Sequence, residues 1–122
     1  MKSTYETGLR GEELAADYLH QKFGMICLEH RYRTKHGEID LIMLDGDTIV
    51  FVEVKTRTTG AAGTGLSSVD RVKQKRIVHS AVLFLMKQKW TDRVTRFDLI
   101  EIHGHDITYV PNAFQPYGRF YH

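Results

Sequence analysis

The chain has 122 residues with 42% hydrophobic and 26% charged side chains and a formal net charge of +2, which is typical of one globular domain spanning residues 1–122. Its first seven residues are polar and its longest apolar run, from Ala81 to Met86, is short, so we expect neither a secretory signal nor a membrane-spanning helix. The single cysteine, Cys27, excludes an internal disulfide and is typical of the reducing cytoplasm, where we expect the protein to work without a membrane partner.

Seven predicted elements follow one another: a helix, three strands, a second helix and two more strands. Their expected bounds are a helix over residues 7–23, a strand over 25–33, a two-stranded hairpin over 38–56, a helix over 68–89, a strand over 93–102 and a short strand over 107–110. Gly24 should stop the first helix and Ser68 should cap the second. The glycine-rich stretch 58–67 and the tail from Pro111 show no clear period.

The apolar pattern indicates how these elements pack. The second helix should bury one stripe, formed by Val69, Val72, Val78, Ala81, Val82 and Leu85. One face of the hairpin should be apolar without interruption, formed by Ile39, Leu41, Met43, Val50, Val52 and Val54. Its other face is apolar near the turn, at Ile42, Leu44, Ile49 and Phe51. Strands that are apolar on both faces need a layer on each side, so we expect an α/β fold, a three-layer sandwich with a mixed central β-sheet flanked by helices.

The hairpin itself is predicted from the tripeptide Asp45-Gly46-Asp47 between two apolar runs. Gly46 fits the first central position of a two-residue type II′ turn with Asp47 as the second. Asp45 then pairs with Thr48, and this fixes the register of every later pair.

That register sets Asp40 opposite Glu53 and Glu38 opposite Lys55, with all four side chains on one face. Two carboxylates about 4 Å apart repel each other by roughly 4 kcal/mol at an effective dielectric constant of about 20. A divalent cation would turn this repulsion into coordination, so the pattern favours a metal site. The alternative is a solvated face on which a Glu–Lys pair is an ordinary surface contact.

Asp40, twelve intervening residues and Glu53-Val54-Lys55 resemble the D…(D/E)-x-K signature of the PD-(D/E)XK nuclease superfamily. The stretches around it are more specific and resemble the bacterial YraN-like family from about Gly8 to Ile102. They are Gly11-Glu12, Gly37-Glu-Ile-Asp-Leu-Ile42, Val50-Phe-Val-Glu-Val-Lys-Thr-Arg57, Lys73 and Arg96-Phe-Asp98. The resemblance implies a restriction-endonuclease-like fold with an αβββαβ core, and metal-dependent hydrolysis of phosphodiesters.

Each candidate catalytic residue has an expected role. Asp40 and Glu53 should bind Mg²⁺ or Mn²⁺, because hard cations prefer oxygen ligands, and the Val54 carbonyl is a possible third ligand. Lys55 should position the attacking hydroxide or offset charge on the transition state. The resemblance adds Glu12 as a catalytic residue that completes a second cation site. Glu38 stays open between neutralising Lys55, binding metal through water and holding the loop 33–36.

Basic residues concentrate in the second half of the chain, where residues 55–96 carry ten Lys or Arg and two Asp or Glu. Such a segment suits a phosphate-binding surface, and the alternative is a solvated helix face. The expected nucleic-acid contacts are Arg33, Lys35, Arg57, Lys73, Lys75 and Arg76. Asp98 is expected to be a buried strand residue paired with Arg96 or Arg57, with an approach to the metal site as the alternative.

We therefore expect a metal-dependent nuclease that acts on DNA in repair, recombination or DNA uptake, in a structure-specific or nonspecific way. RNA as a substrate and a homodimer both stay open. The alternative function is a nucleic-acid-binding module whose nuclease site is vestigial or repurposed. A third is metal-dependent hydrolysis of another substrate, which the basic segment disfavours.

Overall fold

The computed structural model describes residues 4–57 and 69–115, which form two helices and five strands. In chain order they are α1 (Thr4–Phe23), β1 (Ile26–Thr34), β2 (Gly37–Asp45), β3 (Thr48–Arg57), α2 (Arg71–Gln88), β4 (Thr95–His103) and β5 (Asp106–Phe114). This order confirms the predicted succession of elements. Neither helix within these two ranges is long and apolar enough to cross a membrane.

The five strands form one mixed sheet in the order β1-β2-β3-β4-β5. The β3 and β4 strands are parallel, whereas the other neighbours are antiparallel. The core has a separate layer on each face of the sheet. Phe51 and Phe84 belong to the layer beneath α2, while Leu19 and Leu41 belong to the layer beneath α1. The protein is therefore an α/β fold arranged as a three-layer sandwich, as the apolar strands predicted.

The β2–β3 hairpin has the predicted register at its turn. Asp45 pairs with Thr48, and the pairing continues to Leu41 and Val52. Gly46 has a φ of +59°, as the first central residue of a type II′ turn requires. The local turn chemistry therefore fixed the register, as expected.

Beyond the Leu41–Val52 pair the two strands separate, and we call this opening the fork. The β2 strand stays paired with β1 as far as Gly37, and β3 stays paired with β4 as far as Arg57. The predicted pairs Asp40–Glu53 and Glu38–Lys55 are consequently not ladder pairs, since no sheet hydrogen bonding joins the strands there. Beyond this point β2 is paired with β1, and β3 is paired with β4.

The predicted apolar face of β2 is interrupted at Asp40, the first β2 residue beyond the last pair with β3. Ile39 packs in the layer beneath α2 whereas Leu41 packs beneath α1, although residues two apart on a regular strand share a face. The prediction for Ile39 was therefore wrong. Asp40 lies between them, and Arg31, which the β1–β2 register places opposite Asp40, has a φ of +48°. Both strands are irregular at the same level, where β2 loses its β3 partner.

The second helix begins later than predicted. Asp70 is its N-cap and accepts a 2.9 Å hydrogen bond from the Lys73 N–H, while Ser68 and the stretch 58–67 fall outside the described residues. Val72 is 59% exposed, so the prediction that it belongs to the buried stripe was wrong. The helix ends as expected, because Lys89 caps it with a left-handed φ of 62°.

The last strand is longer than predicted and continues through Pro111 to Phe114. Pro is compatible with this position because β5 is an edge strand. The buried carboxylate of Asp98 accepts hydrogen bonds from the Asn112 N–H at 2.8 Å and the Tyr109 hydroxyl at 2.5 Å. It also pairs with Arg96 at 3.0 Å, which confirms the predicted ion pair. Asp98 therefore anchors the edge strand to the sheet.

Candidate metal centre at the fork

Three carboxylates from two elements converge at the fork. Glu12 comes from α1, and Glu38 and Asp40 come from β2, and one oxygen of each lies within 4.8 Å of the others. Gly11 lets α1 approach this closely, because a Cβ there would collide with the Thr56 hydroxyl on β3. Among the described residues this is the group of acidic, His or Cys side chains that is close enough to share a metal ion.

Asp40 occupies the gap that the separating strands leave. Its Oδ2 accepts a 2.8 Å hydrogen bond from the Val54 N–H, so the side chain satisfies a β3 donor that β2 backbone no longer reaches. The Asp40 carboxyl also lies within hydrogen-bonding reach of the Glu53 carboxyl. The two residues of the D…ExK signature therefore meet through their side chains rather than as a ladder pair.

Burial and crowding raise the pKa values of two carboxylates at the fork. Burial, followed by the charge of Glu53 and that of Glu12, raises the pKa of Asp40 to about 8, although the Val54 N–H opposes the shift. Burial also raises the pKa of Glu12, against the effect of Arg31. Asp40 consequently keeps its proton at neutral pH unless a cation replaces that proton.

Two lysines face these carboxylates. Lys73 Nζ lies 2.5 Å from Glu53 Oε1, and Glu53 is only 6% exposed. Burial and the charge of Lys73 lower the pKa of Lys55, whereas Glu53 and Asp40 oppose that shift. Lys55 therefore stands near both acidic residues of the signature, as the sequence predicted.

Arginines hold the remaining acidic side chains. Arg31 Nε donates a 2.9 Å hydrogen bond to Glu12, which is 5% exposed. Arg33 Nε donates a 2.9 Å hydrogen bond to Glu38, so Glu38 binds the β1 side of the fork instead of Lys55. Sequence reasoning missed Arg31, because its contact depends on the irregular backbone opposite Asp40. The sequence left the role of Glu38 open. Its position two residues before Asp40 on the same strand was the signal that could have placed it beside Asp40.

The fork opens into a cavity of about 460 Å³ beneath the start of α2. Its lining residues are Gly37, Glu38, Asp40, Glu53, Asp70, Val72, Lys73, Arg76 and Ile77. The exposed Val72 borders this cavity. A second cavity of about 520 Å³ lies between α1 and β1 and contains none of the converging carboxylates. Of these two cavities between described residues, the first gives a substrate access to the candidate centre.

The predicted basic contacts are distributed unequally around this cavity. Lys73 and Arg76 line it, whereas Lys35 and Lys75 are exposed at the β1–β2 turn and on α2. Arg33 is exposed but tied to Glu38. Arg57 does not line the cavity, and its Nε lies 3.3 Å from Glu101 Oε2. The acidic set, by contrast, consists of the oxygen donors that Mg²⁺ and Mn²⁺ prefer.

Comparison with known proteins identifies the family. The model of uncharacterised protein family UPF0102 matches residues 11–102. A UPF0102 protein of Pseudomonas putida (strain W619) is 40% identical over 119 residues, which cover 93% of this chain and 96% of the relative. A UPF0102 protein of Geobacter metallireducens is 44% identical over 112 residues, which cover 88% of this chain and 91% of the relative. The chain therefore belongs to the UPF0102 family, the YraN-like family that its motifs resemble.

Proposed function

We propose that this protein is a metal-dependent nuclease of the PD-(D/E)XK type that hydrolyses phosphodiester bonds in DNA. The observation that carries the proposal is the meeting of Asp40, Glu53 and Lys55 at the fork, beside a cavity lined by Lys73 and Arg76. Buried carboxylates that repel one another need a cation, and basic side chains next to them suit a phosphate. This combination supports a restriction-endonuclease-like site in the three-layer sandwich.

The acidic residues would hold the metal. Asp40 and Glu53 are the proposed ligands of Mg²⁺ or Mn²⁺, and Glu12 and Glu38 are near enough to Asp40 to add oxygen ligands. When bound, the cation would polarise the phosphate and lower the pKa of the attacking water. Arg31 would keep Glu12 in place, and the Val54 N–H would orient Asp40.

Lys55 would act on the reacting phosphate. Its ammonium lies near both signature carboxylates, and burial favours its neutral form relative to an exposed lysine. In the proposed reaction it positions the attacking water and offsets the charge that develops on the phosphoryl oxygens. A positively charged group at this point stabilises the transition state more than the bound substrate.

The basic side chains of α2 would bind the DNA backbone. Lys73 and Arg76 line the cavity, and Lys75 is exposed on the same helix. Phosphate contacts carry no base sequence, so they support structure-specific or nonspecific cleavage, as in repair, recombination or DNA uptake. Charge reversal of Lys75 and Arg76 should weaken DNA binding and reduce its salt dependence by about two phosphate contacts.

A second candidate function is a nucleic-acid-binding module with a vestigial site. The ion pair between Lys73 and Glu53 favours it, because the lysine already neutralises one proposed metal ligand. The two functions differ in whether bound DNA is cut.

A cleavage assay tests the proposal. Labelled single-stranded, duplex, flap and four-way-junction DNA, with matched RNA, would be incubated with Mg²⁺, Mn²⁺ or a chelator. The wild type should cut at least one DNA substrate when metal is present, and Asp40→Asn and Lys55→Ala should abolish cutting. Asp92→Asn, an exposed change far along the chain from the fork, is the matched control and should cut normally. Salt-sensitive binding without cutting on every substrate would favour the binding module instead.

A further inference from the structure

The ion pair between Lys73 and Glu53 occupies one of the proposed metal ligands. Lys73 Nζ lies 2.5 Å from Glu53 Oε1, and the Glu53 side chain is 6% exposed. An ammonium and a divalent cation cannot both lie against one buried carboxylate without strong mutual repulsion. The Lys73 ammonium therefore occupies the place beside Glu53 that a metal ion would need.

The Lys73 side chain has room to change position while its backbone stays fixed. Its backbone is fixed, because its N–H donates to the N-cap Asp70 at 2.9 Å. Its side chain, by contrast, is 38% exposed and carries the ammonium on a flexible four-carbon stem. Lys73 also lines the cavity together with Arg76, so an ammonium released from Glu53 stays at the mouth where a phosphate would bind.

A second lysine lies beside the ion pair. Lys55 lies within hydrogen-bonding reach of Lys73, and the two ammonium groups repel each other. A divalent cation bound by Asp40 and Glu53 would add to this repulsion and remove the anion that holds Lys73. Of these two lysines, Lys73 lines the cavity and Lys55 does not.

We infer that Lys73 is a displaceable counter-cation, which holds Glu53 until a divalent cation replaces it and then binds a DNA phosphate, so that metal binding and DNA binding reinforce each other. This inference rests on the proposed function, since it requires a metal at the fork. Binding linkage is reciprocal, so metal should tighten DNA binding by the same factor as DNA tightens metal binding. Removing Lys73 should abolish much of this coupling.

Mn²⁺ titration at pH 8, followed by electron paramagnetic resonance, tests the displacement. The variants are Lys73→Met, Lys73→Gln and the control Lys87→Met, an exposed lysine in the last turn of α2. Both Lys73 variants should bind Mn²⁺ roughly tenfold more tightly than the wild type, because one charge-assisted competitor is gone. Lys87→Met should bind like the wild type. Circular dichroism would verify that each variant is folded.

DNA affinity supplies the second readout, measured by fluorescence anisotropy with Ca²⁺ or chelator so that binding is separated from cutting. Ca²⁺ should tighten DNA binding of the wild type and of Lys87→Met, and should do so much less for Lys73→Met. Equal or weaker Mn²⁺ binding by the Lys73 variants, with a wild type that does bind Mn²⁺, would overturn the inference and leave the nuclease proposal standing. If the folded wild type bound no Mn²⁺, the metal site itself would be refuted, and the inference with it.

Discussion

Metal binding at the fork should release about one proton at neutral pH. Burial and two neighbouring carboxylates raise the pKa of Asp40 to about 8, and a ligand carboxylate must be ionised. At pH 7 a group with this pKa is about 90% protonated, so each bound cation should expel about 0.9 proton from Asp40. Below pH 8 the apparent metal affinity should therefore weaken about tenfold for each pH unit.

Isothermal titration calorimetry with Mg²⁺ or Mn²⁺ measures this release directly. Titrations at pH 7 in two buffers with different ionisation enthalpies give the number of protons, and titrations at pH 6, 7 and 8 give the slope. Asp106→Asn, an exposed change at the β4–β5 turn, is the control and should leave both values unchanged. Equal affinity at pH 6 and pH 8, with no dependence on the buffer, would refute the assignment of Asp40 as a metal ligand that carries a proton before the metal binds.

Three further predictions concern stability. The Asp40 pKa of about 8 in the folded chain exceeds the usual aspartate value of 3.8, so without metal the wild type should lose stability as pH rises from about 4 to about 8, and thermal denaturation of Asp40→Asn should show a flatter profile. Arg31→Met leaves the buried Glu12 unpaired and should cost about 3 kcal/mol in urea denaturation, most of which the added change Glu12→Gln should restore. Tyr109→Phe removes a donor to the buried Asp98 and should cost about 1–3 kcal/mol, and an unchanged urea midpoint would contradict that role.

The proximity of Asp40 and Glu53 could be predicted because it depends on the local sequence of the hairpin. Alternating apolar residues and the turn at Gly46 fix the hairpin register, and this register brings the chain segments of Asp40 and Glu53 together. It could not show that the ladder would end at Leu41 and Val52. That depends on how strongly each strand pairs with its outer neighbour, a property of the whole sheet.

Contacts between the helices and the fork depend on packing and so were harder to predict. The pairing of Lys73 with Glu53 requires α2 to lie beneath β3, and the pairing of Arg31 with Glu12 requires an irregular backbone in β1. Val72 fits the helical period of a buried stripe but borders a cavity, which the period alone cannot distinguish from a core.

Anomalous diffraction from crystals soaked in Mn²⁺ would show whether the fork binds the divalent cation that the proposed phosphodiester hydrolysis requires. We expect an anomalous peak between the carboxylates of Asp40 and Glu53, with Lys73 turned away from Glu53. Crystals of Asp40→Asn should lack that peak under the same conditions. A fork without manganese, with the Lys73–Glu53 ion pair intact at millimolar Mn²⁺ and pH 8, would show that these carboxylates do not form a metal site.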